Sequence, residues 1–134
     1  MGIEYSQDKF PPAPILLVRF SAPQESTQMD SIPALIDTGG DFTLVPMSWL
    51  IRINAPEVRS AFLRGLWSEQ RLVTVYYVDL HLENETLPAI EVIGVEDAEE
   101  SAEVILGRNV LNRLIMLLDG PREQTDVLRQ RPRV

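Results

Sequence analysis

The sequence predicts an all-β domain, mainly strand with one short helix. Three observations carry that reading. Short apolar runs rich in strand-forming residues recur along the chain, each bounded by Pro, Gly or polar clusters. Val78, Leu80 and Leu82 alternate with Asp79, His81 and Glu83, the period of a half-buried strand. Helix-like spacing is confined to residues 109–114. The 134 residues make one domain, and with 45% of them hydrophobic the chain can bury a core.

The elements follow in order. Residues 1–14 hold Pro11, Pro12 and Pro14 and read as an extended arm. Ile15 to Phe20 is a strand, and the polar residues 21–31 are a loop. Pro33 to Ile36 is a second strand that runs into Asp37-Thr38-Gly39-Gly40. Phe42 to Val45 is a third, stopped by Pro46, and residues 47–53 fit either a helical turn or a strand end. Residues 57–82 form a long hairpin: a first arm over 57–63, a tip over 64–70 and a second arm from Leu72 to Leu82. Leu87 to Val95 is a strand, and residues 96–103, with five acids, are a solvated loop. Val104 to Leu106 is a buried strand ending at Gly107. The short helix follows, with Asn109 as its cap. Ile115 to Leu118 is a last strand, closed by an Asp119-Gly120 turn. After Pro121 the polar tail, with Arg129, Arg131 and Arg133, reads as a disordered end. The organisation is thus an arm (1–14), a domain (15–120) and a tail (121–134).

Composition removes several functions. The formal net charge is −8, the wrong sign for neutralising phosphates, so no nucleic-acid partner is expected. There is no cysteine, which excludes disulfides, thiolate catalysis and Cys-ligated metals. His81 is the single histidine, so a multi-histidine metal site is excluded too. His81 sits on the polar side of the alternation and reads as a solvated surface residue. No apolar run reaches the ~20 residues of a spanning helix, and no membrane partner is expected. The opening MGIEYSQDKF is polar and acidic, unlike a signal peptide. A cytoplasmic location is the default expectation.

The chemistry concentrates in residues 34–46. An apolar strand, Ala34-Leu35-Ile36, delivers Asp37, and Gly39 and Gly40 follow at once. An unpaired buried carboxylate is costly, so an Asp ending such a strand points outward into a turn. Glycines there let other backbone approach closely. The pattern places one carboxylate at the mouth of a tight turn on a β scaffold.

This segment resembles the active-site loop of the retroviral-type (retropepsin-like) aspartic proteases: two apolar residues, Asp, Thr or Ser, Gly, then Ala or Ser. A second resemblance lies downstream. Val104-Ile105-Leu106-Gly107-Arg108-Asn109-Val110-Leu111 is similar to the family's apolar-apolar-Gly-Arg-Asp/Asn-x-Leu segment. Leu117-Leu118-Asp119-Gly120 is similar to its usual strand end, and the likeness covers roughly residues 15–120. The resemblance implies a closed β-barrel with one lobe per chain. It makes Asp37 the catalytic residue and Thr38, with Gly39, the lock between two active-site loops across a dimer. It assigns Gly39, Gly40 and Asp41 to substrate binding, and pairs Asp41 with Arg108. Ile105, Leu106, Gly107 and Arg108 then support the loop from behind. The hairpin tip, Gly65-Leu66-Trp67, would be a flap over substrate. It holds one glycine where the family has several, and Gly40 stands where the family prefers Ala or Ser. Trp67 fits both a cover over substrate and a residue packed beneath the hairpin. Trp49, Tyr76 and Tyr77 read as packing residues.

One Asp-Thr-Gly per chain means one carboxylate per chain. Hydrolysis by this route uses two carboxylates sharing a proton. The resemblance therefore implies a homodimer acting on a peptide or protein substrate, with no metal or organic cofactor. The alternative on the same fold is a dimeric module that binds peptide or protein without cutting it.

Overall fold

A computed structural model describes residues 2–27, 29–64, 68–96 and 103–133. Six strands close a barrel: β2 (Ile15–Ser21), β3 (Ile32–Ile36), β4 (Thr43–Pro46), β6 (Gln70–His81), β7 (Thr86–Val95) and β8 (Val104–Leu106). Their order is β2-β3-β8-β4-β7-β6, and a β6–β2 pairing returns to the start. The remaining strand of this sheet, β5 (Glu57–Arg64), lies outside the ring against β6. These boundaries follow the apolar runs, because each run has a face to bury. On β2, Leu16, Val18 and Phe20 are fully buried. Each such side chain contributes roughly 1.5–3 kcal/mol by leaving water. Val78 and Leu80 on β6 and Val92 on β7 meet them in the barrel interior. The long hairpin also forms, with Arg64 opposite Gln70 nearest its tip.

Among the described residues there are two short helices where the sequence indicates one. The ambiguous 47–53 segment is α1 (Met47–Arg52). Pro46 ends β4 and caps the helix, and Met47, Leu50 and Ile53, three apart, face the core. Trp49 packs on the core beneath the Arg52 guanidinium, 4.6 Å from its ring centre. Tyr76 is buried, whereas Tyr77 is on the surface. The second helix, α2 (Arg108–Leu111), has Gly107 as its N-cap, two residues before the expected Asn109. Asn109 is inside it and caps nothing.

Both chain ends depart from the sequence reading. β1 (Ile3–Glu4), β10 (Gln124–Leu128) and β9 (Ile115–Asp119) form a separate antiparallel sheet in the order β1-β10-β9. The arm is thus partly a strand, and residues 124–128 of the tail are ordered in mid-sheet. Thr125 is buried, and Val127, Met116 and Ile3 pack on the core. A polar run hid a strand because Thr125 and Val127 alternate with Gln124 and Asp126. Beyond β10, Arg129, Arg131 and Arg133 are exposed, as expected of the tail.

The alternation over 78–83 holds, with Val78, Leu80 and Leu82 in the core. Asp79, on the other side, is nevertheless buried, opposite Ser21 on β2 and beside a bulge whose extra residue lies on β7, between Leu87 and Ile90. Its carboxylate accepts 2.8 Å bonds from the backbone N–H groups of Gln24 and Ala89. Those residues have φ of 68° and 49°, so one carboxylate satisfies a left-handed turn position and a left-handed position in the β7 bulge. His81 is half-buried rather than solvated. Its Nε2 is hydrogen-bonded to Ser21 Oγ at 2.8 Å and its Nδ1 to Thr86 Oγ1 at 3.0 Å.

Burial holds the His81 pKa below the usual histidine value; Asp79 opposes this and Arg19 adds to it. As pH falls below about 6.5, the unfolded chain takes up the proton first, and folding stability is lost through the folded-state pKa. His81→Gln removes that component. The Tm advantage of wild type over the variant is expected to shrink between pH 7.5 and pH 5 in thermal melts. A constant gap contradicts the assignment.

Candidate active site

β3 lies parallel to β8, with Ile36 opposite Leu106. The pairing runs one residue past the strand, since the Asp37 N–H donates to the Leu106 carbonyl at 3.0 Å. This places Asp37 at the rim of the barrel, exposed. The chain then turns. The Gly40 N–H donates to the Asp37 carbonyl at 3.2 Å, and the Gly39 N–H to Asp37 Oδ1 at 3.1 Å. Neither glycine has a positive φ. What Gly40 supplies is room: a Cβ there would lie 2.8 Å from Asp37 Oδ2. The group that approaches closely is the Asp37 carboxylate itself, not a second backbone segment.

Residues 107–109 strap the turn from behind. The Arg108 N–H donates to the Gly40 carbonyl at 2.8 Å and the Asn109 N–H to the Asp41 carbonyl at 3.3 Å. The Arg108 guanidinium donates through Nη1 to the Thr38 carbonyl at 2.9 Å and pairs through Nη2 with Asp41. The Asp41–Arg108 pair expected from sequence is therefore present. Its side chains are 70% and 43% exposed, so it contributes about 0–1 kcal/mol of stability. The larger hold lies deeper. Thr43, fully buried, accepts from the Gly107 N–H at 3.1 Å and donates to Asn109 Oδ1 at 2.9 Å. Asn109 Nδ2 then donates to the Glu91 carbonyl on β7 at 2.8 Å. Gly107 is required by contact, since a Cβ would fall within 3 Å of three backbone atoms of Phe42.

Asp37, Thr38, Gly39, Gly40, Asp41 and Arg108 thus form one cluster. Leu106 and Gly107 are buried behind it, and Ile105 pairs with both Leu35 and Leu44. The Thr38 side chain is exposed, and its carbonyl is taken by Arg108. Gly65, Leu66 and Trp67 lie outside the described residues, as does most of the acidic loop. Thr43 and Asn109 were missed as site residues. The available signal was a lone hydroxyl amid the apolar run Phe42 to Val45 and an amide beside Arg108. Among the described residues, no group of three or more His, Asp or Glu is placed to hold a metal ion.

Two substitutions separate the buried strap from the surface pair. Thr43→Val leaves the Gly107 N–H and Asn109 Oδ1 unpaired and is expected to cost about 3 kcal/mol in denaturant unfolding. Arg108→Lys cannot hold Thr38 and Asp41 with one planar fork, yet it is expected to cost under about 1 kcal/mol in the same assay. Equal costs would contradict this division of labour.

No protein-family model and no curated protein matches the chain. Solved structures do. The retropepsin-like aspartic protease from Rickettsia conorii superposes with a TM-score of 0.61 at 10% identity, over 95% of this chain and 88% of that one. EIAV protease in complex with the inhibitor HBY-793 gives 0.55 at 16% identity, over 83% and 93%. A foamy viral protease-reverse transcriptase gives 0.51 at 19% identity, over 75% of this chain and 15% of that one. Ten strands in this order around a rim-mounted Asp-Thr-Gly turn give the chain the retropepsin-like fold.

Proposed function

We propose that this chain is an aspartic endopeptidase that acts as a homodimer. The observation that carries the reading is the Asp37 carboxylate: exposed, held by its own turn, and strapped from behind on a retropepsin-like fold. Each chain supplies one such group. Two chains related by a two-fold axis supply a facing pair that shares one proton, because like charges at short range do not both ionise readily. The ionised member takes a proton from water as the water oxygen attacks the scissile carbonyl carbon. The protonated member donates to the carbonyl oxygen. The gem-diol then collapses, the amide nitrogen leaves protonated, and the C–N bond breaks. The pair titrates as a unit. Thr38 and Gly39 lock the two loops together. Gly39, Gly40 and Asp41 line an extended peptide, and Gly65, Leu66 and Trp67 cover it from the hairpin. The reaction calls for no metal or organic cofactor.

The second reading keeps the fold and the dimer and drops the cut. Its support is the hairpin, which has a single glycine between Glu57 and His81. A competent pair binds a statine-type transition-state mimic far more tightly than the matched peptide, whereas a binding module binds both alike. No helix among the described residues is long and apolar enough to cross a membrane.

Asp37→Asn is expected to lower cleavage of a diverse peptide pool at least ~100-fold between about pH 4 and 7, with fold and association state unchanged. Mass spectrometry of the digests reads the cuts. Cuts by the variant at the wild-type rate refute the assignment. No cuts by a demonstrated wild-type dimer favour the binding module.

A further inference from the structure

Two neighbours share β2, and neither covers its whole length. β3 pairs with residues 15–18 on one side, and β6 pairs with residues 19–21 on the other. The chain itself covers the side left bare beyond β3. There the Phe20 N–H donates to Met29 Sδ at 3.1 Å, and the Phe20 carbonyl accepts from Thr27 Oγ1 at 2.9 Å. Phe20 thus turns its backbone groups to the β3 side. In an antiparallel ladder such groups alternate, so Leu17, three residues back, turns its own to the β6 side. Leu17 lies opposite Pro33, which has no N–H to donate, as that alternation requires. On the β6 side the neighbour has ended: His81 faces Arg19, and the chain turns off where the Leu82 N–H donates to the Glu85 carbonyl. No strand or side chain among the described residues takes the Leu17 N–H and carbonyl, and Leu17 is 44% exposed.

Leu17 opens on a cavity of about 860 Å³ between β2, the end of β6 and the terminal sheet. Arg19, Arg113 and Arg129 line it, and so do Glu83, Glu85 and Asp126. Among the described residues none of the six is in an ion pair. Three unpaired cations and three unpaired anions suit a chain that carries both signs better than a simple ion. Ser31 lines the cavity before the start of β3, and Asp37 follows the end of β3. Six residues of extended chain, roughly 20 Å, therefore separate this cavity from the Asp37 turn. We propose that the cavity docks an extended segment of a partner protein, laid along β2 where β6 has ended. The segment pairs its backbone with the Leu17 N–H and carbonyl, as an added strand does. Its side chains, of both charge signs around an apolar residue, meet the unpaired arginines, the unpaired acids and Leu17. Backbone pairing supplies affinity, and the order of charges supplies specificity. The site is separate from the groove over Asp37 and stands whether or not the chain cuts peptides.

The test uses the full chain carrying Asp37→Asn, so that no probe is cut, and a synthetic library of end-blocked octapeptides of mixed charge. Backbone amide NMR reads binding and its place together. A docking peptide is expected to shift the Leu17 and Arg113 amides, to leave those of Gly39 and Gly40 in place, and to slow exchange of the Leu17 amide at least ~10-fold. Leu17→Pro deletes the N–H that faces the cavity and spares the β2–β3 ladder, because proline fits a strand position whose N–H is unpaired. It is expected to weaken the selected peptide at least ~10-fold. Arg113→Glu, at an exposed position off the strand, is expected to weaken it as much, and it decides the matter where the proline variant does not fold. Peptides that shift only Gly39 and Gly40 overturn the proposal, as does a library with no binder at millimolar concentration. Inorganic phosphate that reproduces the peptide's shifts reduces the cavity to an anion site. Leu17 shifts that follow protein concentration alone give it to a second copy. Either result overturns the partner segment.

Discussion

The backbone N–H of Gly107 is buried, and one hydroxyl satisfies it. The same hydroxyl, on Thr43, donates to Asn109, which donates in turn to the carbonyl of Glu91. Three segments distant in sequence meet in this chain of bonds: β4, β7 and the entry to α2. The site depends on it because a carboxylate at a strand end is otherwise the loosest part of a sheet. Asp37 is exposed, and its turn has only two short internal bonds. What fixes the turn is the backbone of residues 108 and 109, and what fixes that backbone is Thr43. The surface pair between Asp41 and Arg108 cannot substitute for it. Water competes for both partners, whereas no water reaches the hydroxyl of a fully buried threonine.

Barrel closure is maintained by a second polar device. β2 meets β6 through Arg19–His81, Phe20–Leu80 and Ser21–Asp79. The extra residue of the β6–β7 bulge lies on β7 in this stretch, and Asp79 is buried outside the core cluster. Its two bonds to Gln24 and Ala89 pin the turn after β2 and the β7 bulge at the seam. His81 bridges the same seam between Ser21 and Thr86. The sheet closes because its polar residues are satisfied in place, which leaves β5 as its one protruding strand.

What was legible in the sequence was contiguous. Asp37-Thr38-Gly39 and Gly107-Arg108-Asn109 are each unbroken motifs, and both fall where the site assembles. The apolar strands were legible because burial alone dictates them. What was hidden depends on register or on distant partners. Asp79 reads as a solvated residue, and its burial comes from the backbone of Gln24 and Ala89 that covers it. Ser21 lies far from His81 in sequence, so nothing local announced their bond. Thr43 is a good strand former, so its hydroxyl looked incidental. β10 was hidden because its alternation runs through polar residues, and its place between β1 and β9 is a tertiary fact.

These features bear on one problem that the proposed function poses, how a shared-proton pair can be assembled from two separate chains. Two carboxylates share a proton only within hydrogen-bond distance of each other, and about 1 Å of slack in either loop removes the effect. In the proposed dimer a protomer does not hold the loop from the front, because that face is left open to the partner. Asp37, Thr38 and Gly39 are accordingly exposed, and every bond that steadies their turn comes from within it or from behind. In the proposed dimer the remaining freedom is the relative position of two rigid bodies. The strap inside each chain therefore sets where each carboxylate lies on its own barrel, and the placement of one barrel on the other is what remains for the contact between chains.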